Sequence, residues 1–231
     1  MLKKYASMDN EILYNTEGIA LSNIQKQNNY EIAYRKASEA LSKADVIQIV
    51  NKSGTSLINK NGIPHILVPF INNEILISYP NVSVSYSNKD ADVPLWLKIL
   101  ALHYLLHSKG TYKTGEQITF KQLEGGLGYF PAFQKRTIIP LIEAFGADLN
   151  NFITAGEMIG GIRVQLGDYA LLFKAFPRID LLFVLWKGDE EFPSDGNVIF
   201  DSSIADCLTT EDIAVCSNMI AVMMIKEWRS K

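Results

Sequence analysis

The chain has 231 residues, of which 48% are hydrophobic and 20% charged, and its formal net charge is −3. It is too apolar for a disordered chain, too evenly charged for a general nucleic-acid binder, and has neither an apolar secretory leader nor an apolar run near the roughly 18–20 residues that span a bilayer. Its two cysteines can form neither a disulfide framework nor a four-thiolate iron–sulfur site, so we expect a cytoplasmic protein that binds neither nucleic acid nor a membrane.

The start of the chain predicts an arm followed by a helix. Residues 1–27 are mixed polar without a clear period and are interpreted as a loosely attached N-terminal arm. A helix is expected from Asn28, with Glu31 as a capping-box-like signal, to about Ala44, because apolar residues recur there at helical spacing.

A strand-rich block follows the first helix. Ser53-Gly54 and Asn61-Gly62 are interpreted as turns. Apolar and polar residues then alternate, which predicts a three-stranded antiparallel meander over about residues 65–87. Asn72-Asn73 is expected to form a tight turn within it, because asparagine tolerates a positive φ.

The middle of the chain is predicted to be helical. A strong helix is expected from Pro94 to about Lys109, ended by Gly110. Thr119 and Gln122 have the spacing of a capping box for a short helix. The glycine-rich segment that follows is interpreted as a loop, Glu124–Pro131, and two further helices are expected over about 133–145 and 148–157.

The last third predicts a second meander and a terminal helix. A hairpin with Gly167-Asp168 at its turn leads into the continuous apolar run Ile179–Trp186, which is typical of a buried strand. Thr209 and Asp212 are expected to cap a C-terminal helix. Because the strands cluster in two blocks, the fold class is predicted as α+β, with antiparallel meanders over about 65–87 and 162–200. Residues 28–231 are interpreted as one domain, with a split near residue 90 or 160 as the alternative.

Two histidines form the first candidate site. His103 and His107 are separated by one helical turn, so they share a face of the predicted helix with Trp96 and Leu100. Imidazole binds transition metals and also serves as an axial ligand to haem or a corrinoid. The spacing resembles half of a zinc-protease motif, but no glutamate lies between the histidines to act as a base, which excludes that class. Hydrogen-bonded structural histidines remain the alternative.

Two other segments could contribute to a site. The acidic loop Asp189–Glu191 follows the buried strand, where its carboxylates could bind a cation or instead cap backbone donors of a tight connection. Tyr129 and Phe130 adjoin three glycines, which suits either a ring-stacking surface for a planar ligand or a structural helix end.

Four stretches of the sequence resemble the family grouped as domain of unknown function 3786, from about residue 28 to the C-terminus. These stretches are Leu102–Leu106, Gly115–Phe120, Phe176–Phe200 and Thr210–Asp212. The run from Trp186 to Pro193 is the most specific. The resemblance implies a context of anaerobic bacteria and archaea, where some relatives carry a fused four-cysteine domain like that of corrinoid iron–sulfur proteins. It implies no established activity.

These observations leave three hypotheses about function. The first is a protein that holds haem or a corrinoid in an apolar cleft, with His103 as the favoured axial ligand and His107 as the second choice or its neighbour. Trp96, Tyr129 and Phe130 are then packing surfaces, and a corrinoid or iron–sulfur protein is a candidate partner. The second is a metal-dependent hydrolase or lyase that binds a single transition-metal ion through both histidines and the acidic loop 189–191. The third is an adaptor without a cofactor.

Overall fold

The computed structural model describes residues 19–230, with side chains from residue 28 onward, and has the α+β class that the sequence predicts. The described helices are α1 (Ile19–Lys43), α2 (Val46–Ser53), α3 (Leu95–His107), α4 (Gly126–Phe133), α5 (Ile139–Phe145), α6 (Leu149–Met158) and α7 (Thr210–Arg229). The strands are β1 (Ser56–Lys60), β2 (Ile63–Phe70), β3 (Asn73–Ser78), β4 (Val84–Tyr86), β5 (Gln117–Thr119), β6 (Ile162–Val164), β7 (Tyr169–Phe176), β8 (Ile179–Trp186) and β9 (Asp195–Asp201).

The first helix begins earlier than the sequence indicated. Helix α1 starts at Ile19 and not at Asn28, because the residues between them contain neither proline nor glycine to interrupt it. The predicted arm over 1–27 is therefore partly helical, and residues 1–18 lie outside the described part of the chain.

The first sheet has four antiparallel strands in the order β1-β2-β3-β4, one more than the predicted meander. The additional strand β1 lies between the two predicted turns. All five of its residues are exposed at the sheet edge, so it lacks the alternation of apolar and polar residues that reveals a half-buried strand. Helix α2 was also not predicted; it is a short helix capped by Asp45, whose carboxylate accepts hydrogen bonds from two backbone N–H groups.

The turn between β2 and β3 is one residue away from its predicted position. Phe70 pairs with Asn73, which leaves Ile71 and Asn72 as the turn residues, and Ile71 takes the positive φ of 53°. A positive φ is unfavourable for a β-branched residue. The same residue joins the two sheets, because its N–H donates to the Lys174 carbonyl at 3.2 Å.

The second sheet has five antiparallel strands in the order β5-β9-β8-β7-β6. Its four consecutive strands β6 to β9 form the predicted meander, and the short strand β5, which the sequence analysis did not identify, pairs along β9. Helix α6 lies against β6 and β7 of this sheet, and α7 packs against α6. One continuous apolar core contains residues of both sheets and of the helices between them, including Phe70 and Phe176, whose ring centroids are 5.2 Å apart.

The glycine-rich segment is helical, which corrects its interpretation as a loop. Thr119 and Gln122 form the predicted capping box on a single 3₁₀ turn, and α4 then begins at Gly126. A Cβ at Gly126 would lie 2.0 Å from the Phe120 carbonyl oxygen, so glycine is required for the start of α4 to fit beneath the preceding turn. Tyr129 and Phe130 consequently lie on a helix.

A buried tyrosine of α3 links the end of α2 to the start of β8. The Tyr104 hydroxyl on α3 donates to the carbonyl of Ser53, at the end of α2, and accepts the N–H of Arg178, which precedes β8. The ring stacks on Phe176 with centroids 4.5 Å apart. The Arg178 guanidinium in turn donates to the carbonyls of Asn51 and Lys52, where a cation suits the negative end of the α2 dipole.

We expect Tyr104→Phe to lower the free energy of unfolding by about 1–2 kcal/mol, because it leaves the Ser53 carbonyl and the Arg178 N–H without their partner while retaining the ring. Urea denaturation measures the loss. Tyr129→Phe is the matched control: among the described residues its hydroxyl accepts only from Arg136 at the surface, and we expect a change below about 0.5 kcal/mol. Equal losses in the two variants would contradict the linking role of Tyr104.

Candidate functional site

The last turn and a half of α3 lies beside the first turn of α7 and brings a histidine to a carboxylate. Nδ1 of His103 lies 2.8 Å from Oδ1 of Asp212. The Asp212 side chain is 10% exposed, whereas the His103 side chain is 26% exposed. The imidazole is therefore held from the protein side, and no hydrogen bond joins its Nε2 to the described residues.

Asp212 is fixed by the way that α7 begins. Thr209 is the N-cap, its hydroxyl accepts the Asp212 N–H, and the Asp212 carboxylate accepts hydrogen bonds from both the hydroxyl and the N–H of Thr209. This is the capping box that the sequence predicts. The carboxylate thus uses Oδ2 to cap the helix and Oδ1 to orient His103, so the start of the helix and the orientation of the imidazole depend on the same side chain.

The second predicted histidine is less tightly held. Nδ1 of His107 lies 3.9 Å from Oδ2 of Asp212, beyond hydrogen-bond distance, and its side chain is 42% exposed. The two imidazole rings are 5.3 Å apart and tilted by 36°. The structure therefore brings His103 and His107 together, as their spacing predicts, and adds an acidic residue that bonds to His103.

The pKa values of the two histidines are shifted in opposite directions. The hydrogen bond with Asp212 raises the pKa of His103 against the effect of its burial. Burial, and then the nearby charge of His103, lower the pKa of His107. Burial would raise the pKa of Asp212, but hydrogen bonds from His103 and Thr209 outweigh it and hold that pKa below its usual value.

These directions predict an order of titration. Because the folded pKa of His103 lies above its unfolded value, the stability contributed by its charged form is complete below about pH 6.5 and is lost as the pH rises through the folded pKa. We expect His103 to titrate above and His107 below that ordinary value, measured from imidazole resonances by NMR. Asp212→Asn should bring His103 down toward His107; an unchanged His103 midpoint would contradict the assigned cause.

The site does not include a conventional metal cluster. Across residues 19–230, no group of three or more histidine, cysteine, aspartate and glutamate side chains is arranged to hold a metal ion. A protein-bound zinc ion usually takes three or four such ligands. Cys207 and Cys216 are both buried, and burial raises the pKa of each thiol, so neither is suited to act as a thiolate ligand.

Of the three predicted packing residues, Trp96 lies on α3 together with His103, and Tyr129 and Phe130 lie on α4. Trp96 is half-buried at the start of α3, with its ring edge-on to Phe70 at 5.9 Å. Tyr129 and Phe130 are half-buried on α4, where Lys121 lies over the Phe130 ring. The segment before α4 contacts the start of α7, because the Thr210 hydroxyl donates to the Glu124 carbonyl at 2.8 Å.

The surface depressions do not coincide with this site. Two depressions of the described surface are lined by residues 62–65 with 78–83 and by residues 163–168, and neither contains His103 or a predicted packing residue. The apolar cleft of the first hypothesis thus remains a prediction.

The acidic loop has a structural use for one of its carboxylates. Asp189 accepts the N–H groups of Glu191 and Phe192, which lowers its pKa, and these bonds close the connection between β8 and β9. This agrees with the interpretation of the acids as caps of backbone donors. Within the described residues, no hydrogen bond or ion pair joins this loop to His103 or His107.

Asp212 is the site residue that the sequence analysis did not assign to the site. Its role as a cap was readable from Thr209, but its contact with His103 spans 109 positions along the chain. One feature of the sequence could have indicated this contact. A carboxylate that caps a helix with one oxygen retains a second oxygen that can accept a hydrogen bond from another partner.

No described helix is both long and apolar enough to cross a membrane. In comparisons with known proteins, a family model described as domain of unknown function 3786 matches residues 45–223. No curated protein and no solved structure matches the chain. The matched range contains both sheets and all three residues of the site, His103, His107 and Asp212.

Proposed function

Since the chain belongs to the family of domain of unknown function 3786, we propose from the geometry of its site that it is a cytoplasmic cofactor-binding protein. In this proposal His103 gives one imidazole nitrogen to the central metal of a haem or a corrinoid. The observation that carries the proposal is the bond between Nδ1 of His103 and the buried Asp212, which leaves Nε2 directed away from its carboxylate partner.

The hydrogen bonding of His103 suits a ligand to the metal of a haem or a corrinoid. A metal-bound histidine typically donates its second ring N–H to a carboxylate or carbonyl, which fixes the tautomer and makes the ligating nitrogen more basic. A tetrapyrrole brings its own ring of nitrogen ligands, so one protein imidazole is sufficient to hold its metal. The lack of a three-ligand group among the described residues therefore does not count against it.

Three half-buried aromatic residues are candidates for contact with a flat ligand. Trp96, Tyr129 and Phe130 are each half-buried, so part of each ring remains accessible for contact with a planar molecule. The contact between Thr210 and Glu124 holds the start of α4 against the turn that carries Asp212. In the proposal, the aromatic residues of α3 and α4 are the candidates for packing against a ligand on His103.

The metal-dependent enzyme has less support. It requires a third ligand from the acidic loop, but Asp189 already closes its own loop and no three-ligand group occurs in the described range. If the protein is an adaptor without a cofactor, the contact of His103 with Asp212 is a structural hydrogen bond. The two hypotheses differ in whether the protein binds a haem or a corrinoid.

Titration of the purified full chain with haem, and separately with aquocobalamin, tests the proposal. We expect a shifted absorption band that saturates at one equivalent for at least one of them. His103→Ala should abolish the shift, and Asp212→Asn should weaken binding by about 10-fold, because it removes the charge behind the ligating imidazole.

Glu211→Ala is the matched control, because Glu211 is an exposed acid in the same turn whose charge is the smallest of the causes that act on the pKa of His103. It should change the titration far less than Asp212→Asn. His107→Ala should retain the band. Absence of a band with both cofactors would overturn the proposal in favour of the adaptor. Stoichiometric transition metal in protein purified without added metal, together with no band, would overturn it in favour of the enzyme.

A further inference from the structure

A surface depression on the first sheet shares no residue with the His103 site. It has a volume of about 660 Å³ and is formed by the start of β2, the end of β3 and the connection from β3 to β4. It is an open depression of the surface, not an enclosed cavity. Its polar side chains include His65, Ser78 and Ser83, whose hydrogen bonds determine what each can still offer to a ligand.

His65 offers an acceptor. Its Nδ1 lies 2.9 Å from the carbonyl oxygen of Ile63, and a carbonyl oxygen can only accept, so Nδ1 carries the proton. In the neutral ring Nε2 is then a free acceptor, and no described residue bonds to it. His65 is half-buried and lies opposite Ser78 in the pairing of β2 with β3.

The two serines also leave an acceptor. The Ser78 hydroxyl donates to the Asn81 carbonyl and lies 2.8 Å from the Ser83 hydroxyl. Because the proton of Ser78 is already used, Ser83 must donate to Ser78, which leaves only the lone pairs of Ser83 available. The Ser83 N–H is also used, since it donates to the Ser78 hydroxyl at 3.0 Å.

The rest of the lining is mainly apolar. Pro64, Pro80 and Val82 contribute aliphatic surface, and Tyr79 contributes an aromatic ring whose hydroxyl is anchored on the Ala44 carbonyl at 2.9 Å. No lysine or arginine belongs to the described lining. The described lining contains no aspartate or glutamate either, so an anchored aromatic ring beside two free acceptors suits a ligand that brings N–H donors.

We infer that this depression binds a small organic cation, an ammonium or amidinium group attached to an apolar body. Its N–H groups donate to Nε2 of His65 and to the Ser83 hydroxyl, and its apolar part contacts the prolines and Tyr79. The two fixed acceptors and the absence of a basic residue from the described lining distinguish this class from anions, for which the site has only the exposed carboxamide of Asn81 as a side-chain amide donor.

Two probes of the same size test this inference on the full chain at about pH 8, where ordinary imidazoles are neutral. Benzylammonium carries the donors, and benzoate carries only acceptors. We expect benzylammonium to shift the His65 side-chain nitrogen resonances saturably, and benzoate to leave them unchanged. Ser83→Ala should weaken benzylammonium binding in the same titration by about 3–10-fold, the value of one hydrogen bond. His65→Phe has no imidazole resonance to follow, so its binding is measured by calorimetric titration, where we expect a similar loss.

Ser85→Ala is the control, since Ser85 is an exposed serine of β4 outside the lining. His103→Ala should also leave benzylammonium binding unchanged, so that failure here is separate from failure of the proposed cofactor site. The inference is overturned if benzylammonium shows no saturable shift, if benzoate binds equally well, or if both lining variants bind benzylammonium as the unchanged protein does.

Discussion

Asp212→Ala is expected to lower the free energy of unfolding by about 2–4 kcal/mol. The variant removes the carboxylate that caps α7 and leaves the Thr209 N–H and hydroxyl without an acceptor. It also removes the partner of His103, whose imidazole then lies half-buried with neither nitrogen bonded. Because these losses fall on a 7% exposed position, water cannot replace the carboxylate fully.

Denaturation by urea, followed by circular dichroism, measures this loss. Glu211→Ala is the control: it removes an exposed acid from the same helical turn, so we expect a change within about 0.5 kcal/mol. Asp212→Asn should fall between the two, since the carboxamide oxygen can accept one hydrogen bond but carries no charge. A loss at Asp212 no larger than that at Glu211 would mean that the capping box and the histidine contact contribute little.

Gly126→Ala and Gly128→Ala should change stability in opposite directions although they are two residues apart on α4. At Gly126 a methyl group would meet the Phe120 carbonyl oxygen at 2.0 Å, and backbone cannot rotate away as a side chain can. We expect a loss of about 3 kcal/mol. At Gly128 nothing lies within 4 Å of the added carbon, and alanine favours a helix, so we expect a gain of about 0.5–1 kcal/mol.

Thermal denaturation of the two variants beside the unchanged protein gives both signs in one experiment. Since Gly128 is an exposed position of the same helix, it controls for any general intolerance of α4 to alanine. Two losses of similar size would show that the whole segment requires glycine, which would restore its interpretation as an irregular connection.

Local signals were sufficient for the elements that their own residues determine. The capping boxes at Thr119 and Thr209 and the apolar run of β8 are complete within a few residues, and the structure has each of them. The same is true of the pairing of His103 with His107 on one helical face, which requires only the 3.6-residue period.

The elements that were missed depend on distant parts of the chain. Strand β1 has no buried face, so only its pairing with β2 defines it. Strand β5 has three residues and exists because β9 lies beside it. The turn is displaced to the β-branched Ile71, whose N–H bonds to the carbonyl of Lys174, more than one hundred residues later. The contact of His103 with Asp212 also joins residues more than one hundred positions apart. A local pattern contains no information about such partners.

The long separation between His103 and Asp212 has a consequence for biosynthesis. The ribosome adds about 5–20 residues per second, so the carboxylate follows its imidazole by about 5–20 s. The contact spans 109 positions, and it forms only after α7 has been made and has reached α3. If the proposed cofactor requires the oriented imidazole, tight binding must wait until α7 has been synthesised and has packed against α3.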